Sequence, residues 1–214
     1  MVQISHSGEN TDKLNLILGV AQKRFGLYGL DKTTMKEIAA DLGMSKASLY
    51  YYFPDKETLF KAVFENEQTE FFEISGKILE ENSDAAEMLR QFCHIRLNYF
   101  RKLFNLGQIR LDEFNKNVKP VLNDLFKTLK AREIKLVETI LKRGVDAELF
   151  HLEQITESAE LFIEILKGIR LQVFHSKELI YISPEEYTEL EKKSDMVTEI
   201  YIRALTNPQK YTII

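Results

Sequence analysis

The chain has 214 residues, of which 44% are hydrophobic and 29% charged, and its formal net charge is −4. That acidic balance argues against a protein that binds nucleic acid through bulk positive charge, and no apolar run approaches the roughly 20 residues of a membrane span. Because the N-terminus lacks the layout of a signal peptide and the single cysteine, Cys93, cannot form an internal disulfide, we expect a cytoplasmic protein that does not enter membranes.

The first predicted element is a helix from about Asn10 to Tyr28. Its apolar residues recur at helical spacing and predict one buried face that covers the back of the next segment; they are Leu14, Ile17, Leu18, Ala21 and Phe25. Gly26 and Gly29 are expected to end this helix, because glycine is a poor helix former.

The stretch 33–56 reads TTMKEIAADLGMSKASLYYYFPDK and predicts two short helices around a tight turn. Thr34 and Glu37 have the spacing of a capping box at the start of the first helix. Gly43 stands where a helix end favours a left-handed residue, and Ser45 is the expected N-cap of the second helix. Helix, glycine-containing turn and helix is the layout of a helix-turn-helix DNA-binding unit.

The run SKASLYYYFPDKETLF, which begins at Ser45, resembles the DNA-binding domain of the tetracycline-repressor (TetR) family of bacterial transcription regulators. In that family a recognition helix started by Ser or Thr leads into Leu-Tyr-aromatic-aromatic-Phe, and then into a capping residue, Lys and Glu. The detailed resemblance covers about Leu14 to Phe60, and the matching positions are Thr33, Thr34, Ile38, Ala39, Gly43, Leu49, Tyr50, Phe53 and Lys56.

The rest of the chain reads as helices, with few glycines and no alternating strand pattern. A connecting helix is expected over about 54–80, and further helices near 84–104, 106–115, 118–143, 153–176 and 184–206, about nine in all. The resemblance implies an all-α fold in which residues 1–53 form the DNA-binding domain. Residues 54–214 then form a larger helical domain for effector binding and dimerisation.

The outer face of the second short helix carries the residues expected to meet DNA, provided that Leu49 points inward. Lys46 can contact a guanine edge or a phosphate, Ala47 a thymine methyl group and Ser48 several bases. Residues 1–60 hold seven basic and seven acidic side chains, so affinity for a double-stranded operator must come from accurate placement of a few groups. By resemblance, the base-facing positions are Lys46, Ala47, Ser48 and Tyr51, and the phosphate-binding positions are Thr34, Tyr50, Tyr52 and Lys56.

The last two helices are the expected homodimer interface. A palindromic operator requires two copies of the motif on a symmetric partner, and the helix 153–176 is apolar over more than one face, as expected of a helix shared between core and partner. The resemblance implies a four-helix bundle across a two-fold axis. The expected interface residues are Phe162, Ile165, Ile169, Val173, Val197, Ile200, Tyr201 and Ala204.

By the same resemblance, the body should bind a small-molecule effector. Arg96 is the sole charge in the middle of the apolar face of the helix 84–104, and a buried guanidinium requires an anionic partner. We favour an internal salt bridge to a glutamate, or a side chain that extends its charged end to solvent, over the alternative that Arg96 receives the carboxylate or phosphate of an anionic, acyl-type effector. The lining candidates are Arg96, Phe92, Tyr99, Phe100, Phe126 and Phe162.

The sequence contains no glycine-rich phosphate loop, nucleophile motif or His/Cys/Asp constellation, so we do not expect an enzyme. Its four histidines show no metal-ligand spacing, and no metal or other cofactor is expected. The leading hypothesis is a ligand-responsive transcription regulator, in this family most often a repressor. The alternative is a DNA-binding regulator without a small-molecule ligand that a protein partner controls.

Overall fold

A computed structural model of the chain describes residues 6–81, 83–105, 118–174 and 183–207. These residues form eight helices and no strand, which confirms the all-α prediction. The helices are α1 (His6–Lys32), α2 (Met35–Asp41), α3 (Lys46–Tyr52), α4 (Lys56–Glu81), α5 (Ala85–Asn105), α6 (Val118–Asp146), α7 (Ile155–Phe174) and α8 (Pro184–Thr206). The short helix predicted over 106–115 lies outside the described residues. None of the described helices is long and apolar enough to cross a membrane.

Helix α1 begins earlier than predicted, and its regular part ends at Gly29, as expected. It begins at His6, before the first residue of the apolar pattern, because apolar periodicity marks only the part of a helix that packs against other elements. Near its other end, Gly29 has a φ of 78°, so the chain bends there before the last helical residues. The hydroxyl of the buried Thr33 donates a hydrogen bond of 2.7 Å to the Gly29 carbonyl, which holds the bend.

Local caps define the short helices α2 and α3, as predicted. The Glu37 amide donates to the Thr34 hydroxyl at 3.3 Å and the Thr34 amide donates to the Glu37 carboxylate at 2.9 Å, which completes the capping box. The Ser48 amide donates to the Ser45 hydroxyl at 3.0 Å at the start of α3. Gly43 has a φ of 63° in the turn between the two helices, a conformation that costs glycine little.

The chain divides into two compact units, and α4 runs through the division. The first unit comprises Met1–Thr69 with residues 102–123 and 179–181, and the second comprises the remaining residues. In the first unit, the Phe25 and Phe60 rings meet edge to face at 5.3 Å. The Gln22 side chain donates to the buried Glu67 carboxylate. The first part of α4 is therefore fastened to α1, while the predicted domain boundary after residue 53 stays a prediction.

The second unit is built from the rest of α4 and from most of α5, α6, α7 and α8. Arg143 on α6 donates to the Leu79 carbonyl on α4. The His151 amide, between α6 and α7, donates to the Leu205 carbonyl on α8 at 2.9 Å. Helices α4 to α8 begin and end within three residues of the predicted positions, because each has a long apolar stripe bounded by capping or loop residues.

Gly144, near the end of α6, packs directly against a buried aromatic ring, so a substitution there tests the packing of the second unit. A Cβ atom on Gly144 would lie 2.1 Å from Cδ2 of the buried Phe150 ring. We expect Gly144→Ala to lower the free energy of unfolding by about 1–3 kcal/mol, because the ring must move within a packed interior. Chemical denaturation measures the change.

The matched control is Gly76→Ala on α4, where no heavy atom lies within 4 Å of the added Cβ. That substitution should raise the free energy of unfolding by about 0.5–1 kcal/mol, since alanine loses less backbone entropy in a helix. A Gly144→Ala protein as stable as the wild type would contradict the packing described for Phe150.

Candidate functional site

The outer face of α3 presents every predicted base-facing side chain to solvent. Leu49 is fully buried and orients the helix, while Tyr51 is 86% exposed. A short helix with one buried anchor and an exposed opposite face fits the major groove of B-DNA, which is wide enough to admit an α-helix. The four residues predicted to face bases, all of them exposed, are Lys46, Ala47, Ser48 and Tyr51.

Two of these side chains are held by local contacts. The Lys46 ammonium lies 5.3 Å from the centre of the Tyr50 ring in a cation–π contact. The hydroxyls of Ser48 and Ser45 are 2.7 Å apart, so Ser48 also takes part in the cap of α3. Such contacts restrict the conformations of the two side chains, and a restricted side chain loses less entropy when it binds a partner.

The predicted phosphate contact at Thr34 is occupied by a carboxylate in this structure. Both the amide and the hydroxyl of Thr34 donate to the same Glu37 oxygen, at 2.9 and 2.8 Å. These hydrogen bonds, the side-chain one foremost, lower the pKa of Glu37. A DNA phosphate at Thr34 therefore has to displace Glu37 or bind beside it.

Arg24 on α1 contacts the carboxylates of α2, including Glu37. The sequence did not indicate Arg24 as part of this site. Its guanidinium contacts Asp41 at 2.7 Å and Glu37 at 3.5 Å, and lies 5.1 Å from the Tyr28 ring centre. The hydrogen bond to Asp41 is the main cause of the raised pKa of Arg24. Arg24 thus neutralises carboxylates on α2, the helix that crosses the DNA backbone in helix-turn-helix complexes. Helical periodicity relates residues within one helix only, so it could not predict this contact between α1 and α2.

The other predicted phosphate-binding residues lie at the junction of α3 and α4. Tyr50 is exposed and Tyr52 is half-buried, edge to face with Tyr51 at 5.4 Å. The Lys56 ammonium donates to the Leu30 carbonyl at 2.7 Å. An ammonium has three donors, so this contact fastens α4 to the end of α1 and still leaves Lys56 capacity for a phosphate.

Asp55 is the N-cap residue that precedes α4. Its carboxylate accepts the Thr58 amide at 2.6 Å, and hydrogen bonding from Thr58 lowers the pKa of Asp55. The start of α4 is therefore capped by the residue adjacent to Lys56, so the cap and the predicted phosphate contact move together.

In the second unit, Arg96 forms the internal salt bridge that we favoured. Its Nε donates to an oxygen of Glu133 at 2.6 Å, and the two side chains are only 4% and 3% exposed. Glu133 lies on α6 one turn from Leu129 and one turn from Val137, both buried. Glu133 is therefore an acidic residue in a buried apolar stripe of α6, and that pattern in the sequence could have identified it as the partner of Arg96.

The Arg96 salt bridge lies beside an aromatic cluster that contains several predicted pocket residues. Phe71 on α4 is 4.7 Å from Tyr99 and 6.4 Å from Phe92, measured between ring centres. Tyr99 meets Phe100 at 5.3 Å, and the Arg96 guanidinium lies 4.7 Å from the Phe100 ring centre. The structure thus brings Arg96, Phe92, Tyr99 and Phe100 together; Phe126 is half-buried on α6, and Phe162 stacks on Tyr201 of α8.

Arg170 on α7 joins this cluster and was not predicted. Its guanidinium lies 3.9 Å from the Phe100 ring centre. Burial and, second, repulsion by Arg96 lower the pKa of Arg170 to about 9. Arg170 continues the buried stripe of Ile163 and Leu166 on α7, so the helical spacing of that stripe could have identified it. Among the described residues, no group of three or more His, Cys, Asp or Glu is arranged to hold a metal ion.

The predicted dimer residues differ in exposure. Ile165 and Ile200 are exposed, whereas Phe162 is 0% exposed and stacks on Tyr201 at 4.5 Å between ring centres. Phe162 therefore packs α7 against α8 within one chain and has no surface for a partner. The remaining predicted residues are half-buried: Ile169, Val173, Val197, Tyr201 and Ala204.

Three further apolar side chains on α7 and α8 are exposed, and the predicted interface included none of them: Leu161, Leu171 and Met196. Leu161 lies one turn before Ile165, and Met196 lies one turn before Ile200. Each helix thus carries a pair of exposed apolar side chains one turn apart. Contiguous exposed apolar surface on a globular protein marks an interaction site.

Comparison with known proteins gives consistent matches at three levels. The model of the family described as bacterial regulatory proteins, tetR family, matches residues 17–63. A transcriptional regulator of known structure from Cytophaga hutchinsonii is 40% identical, with a TM-score of 0.83 over 91% of this chain and 98% of that one. The HTH-type transcriptional regulator RutR of Escherichia coli is 43% identical over 51 residues, 24% of each chain. The nucleoid occlusion factor SlmA of Vibrio campbellii is 23% identical over 155 residues, 70% of this chain and 78% of SlmA.

Proposed function

Because the chain belongs to the TetR family and is therefore a DNA-binding transcription regulator, we propose that it is a homodimeric repressor in the cytoplasm. It leaves a palindromic operator when a small-molecule effector binds. The observation that carries the proposal is the outer face of α3, where Tyr51 and its neighbours are exposed opposite the buried Leu49. The DNA-binding domain is residues 1–53, and the effector and dimerisation domain is residues 54–214, with 54–80 as the connecting helix.

Base reading and phosphate binding have separate residues in this proposal. Lys46, Ala47, Ser48 and Tyr51 read base edges in the major groove, while Thr34, Tyr50, Tyr52 and Lys56 bind phosphates and fix the register. With seven basic and seven acidic side chains in residues 1–60, the non-specific electrostatic contribution to binding is small. Specific contacts then supply an unusually large share of the affinity.

The exposed apolar pairs on α7 and α8 support the dimer. Burying Leu161, Ile165, Met196 and Ile200 against the same surface of a second copy removes apolar area from water on both chains. A two-fold symmetric interface is self-complementary, and it sets the separation of the two recognition helices. Half-sites one turn of DNA apart, or a multiple of it, then bind both copies at once.

Helix α4 supports coupling between effector and operator. It is one helix that begins beside Lys56 and carries Phe71 further along. Phe71 contacts Tyr99 in the aromatic cluster next to the Arg96–Glu133 salt bridge. A ligand shifts a conformational equilibrium only if it binds one conformation more tightly than the other. An effector that binds the aromatic cluster more tightly in one position of Phe71 therefore shifts α4 toward the conformation that has Phe71 in that position.

Selection of bound sequences from random double-stranded DNA tests the proposed function, together with sedimentation of the free protein. We expect an enriched palindrome and a dimer at micromolar concentration. Sequences without two-fold symmetry, or a monomer at that concentration, would refute the symmetric repressor.

Substituting Tyr51 and Lys56 separates base reading from phosphate binding. Tyr51→Ala should change the preferred bases at one position of each half-site, because the most exposed side chain of α3 is lost. A base contact is worth about 1–3 kcal/mol, which is roughly 5- to 150-fold in affinity.

Lys56→Ala is the comparison variant. It should weaken binding to all sequences alike and reduce the slope of affinity against salt by about one charge. Equal loss of affinity in both variants, with unchanged base preference, is the result that would reject the assignment of Tyr51. Unfolding of Lys56→Ala must be measured in parallel, since the contact with the Leu30 carbonyl is lost too.

A second candidate is a DNA-binding regulator that a protein partner controls, without a small-molecule effector. The match to SlmA supports it, because a relative named a nucleoid occlusion factor is not named as an effector-released repressor. Release of operator DNA by a cell extract distinguishes the two candidates. Release that survives protease treatment and passes a small-pore filter supports the effector, and release lost after protease treatment supports the partner.

A further inference from the structure

Two guanidinium groups from different helices meet at one aromatic ring in the second unit. Arg96 on α5 lies 4.7 Å from the centre of Phe100, and Arg170 on α7 lies 3.9 Å from it. Glu133 on α6 contacts Arg96 at 2.6 Å. Three helices thus bring two cations and one carboxylate together next to a buried aromatic cluster.

The electrostatic surroundings of Arg170 disfavour its own charge. Burial is the main cause that lowers the pKa of Arg170 to about 9, and repulsion by Arg96 outweighs attraction by Glu133. Burial disfavours an isolated charge of either sign, but two guanidinium groups share one carboxylate here, and the positive potential of Arg96 that opposes a second cation favours an anion beside both. The guanidinium has five N–H donors, so a bound anion can share Arg170 with the protein groups that it already contacts.

Arg170 is less completely buried than Arg96, although its Nε atom is itself buried. Arg96 is 4% exposed and its Nε is engaged by Glu133, whereas Arg170 is half-buried. The ligand end that meets Arg170 therefore needs no disruption of the salt bridge. The four rings of the cluster are at most 4% exposed, so the apolar part of the ligand enters only when they move apart, as the proposed shift of Phe71 requires.

We propose that Arg170, supported by the Arg96–Glu133 pair, receives the charged end of the effector, and that the effector is an amphipathic anion. Its charged end is a carboxylate or a phosphate, both of which match the guanidinium fork, and its body is apolar. This inference rests on the proposed effector-released repressor. Arg170, a residue of α7, then determines which charged group of a ligand the protein selects.

Calorimetric titration of the full-length protein without DNA tests the inference with three probes that share an eight-carbon chain: octanoate, octyl phosphate and the neutral octanamide. We expect at least one anion to bind about tenfold or more tightly than the amide, because only the anion forms a charge-assisted pair with Arg170. The tighter anion tells whether the site takes a carboxylate or a phosphate.

Arg170→Met should remove this preference, so that anion affinity falls by about tenfold or more to that of the amide. The control is Arg132→Met on α6, whose exposed guanidinium also stacks on a ring, that of Phe72 at 3.7 Å; it should bind the anions like the wild type. The inference is overturned by equal affinity for amide and anions, by an unchanged Arg170→Met variant, or by failure of both anions to bind.

The probe comparison on the wild type stands even if the Arg170→Met variant does not fold. Selection of operator DNA uses no ligand, so it reports on the proposed function separately. A palindromic operator together with no preference for anions would reject this inference alone, and absence of operator binding would reject the proposed function.

Discussion

Replacing Glu133 by leucine should lower the free energy of unfolding by about 3–5 kcal/mol, because the substitution leaves the Arg96 guanidinium buried without its carboxylate. The two side chains are 3% and 4% exposed, so water does not reach the site to compensate. Chemical denaturation of the variant measures the loss. Much of this loss comes from leaving the Arg96 charge buried without a counter-ion, and not from the net stabilisation that the ion pair gives the native protein.

Two further variants separate these contributions. The double variant Arg96→Met, Glu133→Leu should recover most of the lost stability, since apolar side chains of similar volume replace a buried pair at little cost. Glu164→Gln breaks an exposed contact with Lys130 of 2.8 Å and should leave stability unchanged within error. A double variant no more stable than Glu133→Leu alone would show that the packing of α6, and not the stranded charge, causes the loss.

Replacing Ile200 by aspartate should dissociate the proposed dimer and, with it, abolish specific operator binding. Ile200 is 59% exposed in the single chain, and a two-fold interface would bury the substituted carboxylate in both copies. An unpaired buried charge costs several kcal/mol, so the dissociation constant should rise on the order of a hundredfold or more. Sedimentation measures the dimer, and titration with a palindromic operator measures its consequence for DNA binding.

Leu27→Asp is the matched control for the oligomeric state. Leu27 is also 59% exposed, but it lies on α1 in the first unit. An equal change of side chain there should leave the dimer intact. If Ile200→Asp remained a dimer at the wild-type concentration range, the interface would have to be sought away from the exposed faces of α7 and α8.

The helix-turn-helix was predictable because its determinants are local. The capping box of Thr34 and Glu37, the N-cap at Ser45 and the left-handed Gly43 each depend on residues no more than a few positions apart. The buried and exposed sides of α3 follow from the position of Leu49 alone. For the same reason the helical spacing predicted α4 to α8, and missed only the polar start of α1.

The candidate sites away from α3 were predicted less completely, because their partners lie on different helices. Helical spacing identified Arg96 as a buried charge, but it did not specify Glu133 as its partner. It also assigned Phe162 to the dimer interface, since a wheel shows that a face is apolar without showing what covers it. Packing against Tyr201 covers that face within one chain.

The sequence by itself determined the all-α class, the helix-turn-helix and the family resemblance, since capping, turn chemistry and helical periodicity act over one or two turns of chain. Only the tertiary structure decided that Arg24 neutralises Glu37 and Asp41, and that Arg170 joins Arg96 at one aromatic ring. These contacts join residues far apart in sequence. Their energies depend on burial and on the distance between charges, which local sequence patterns do not specify.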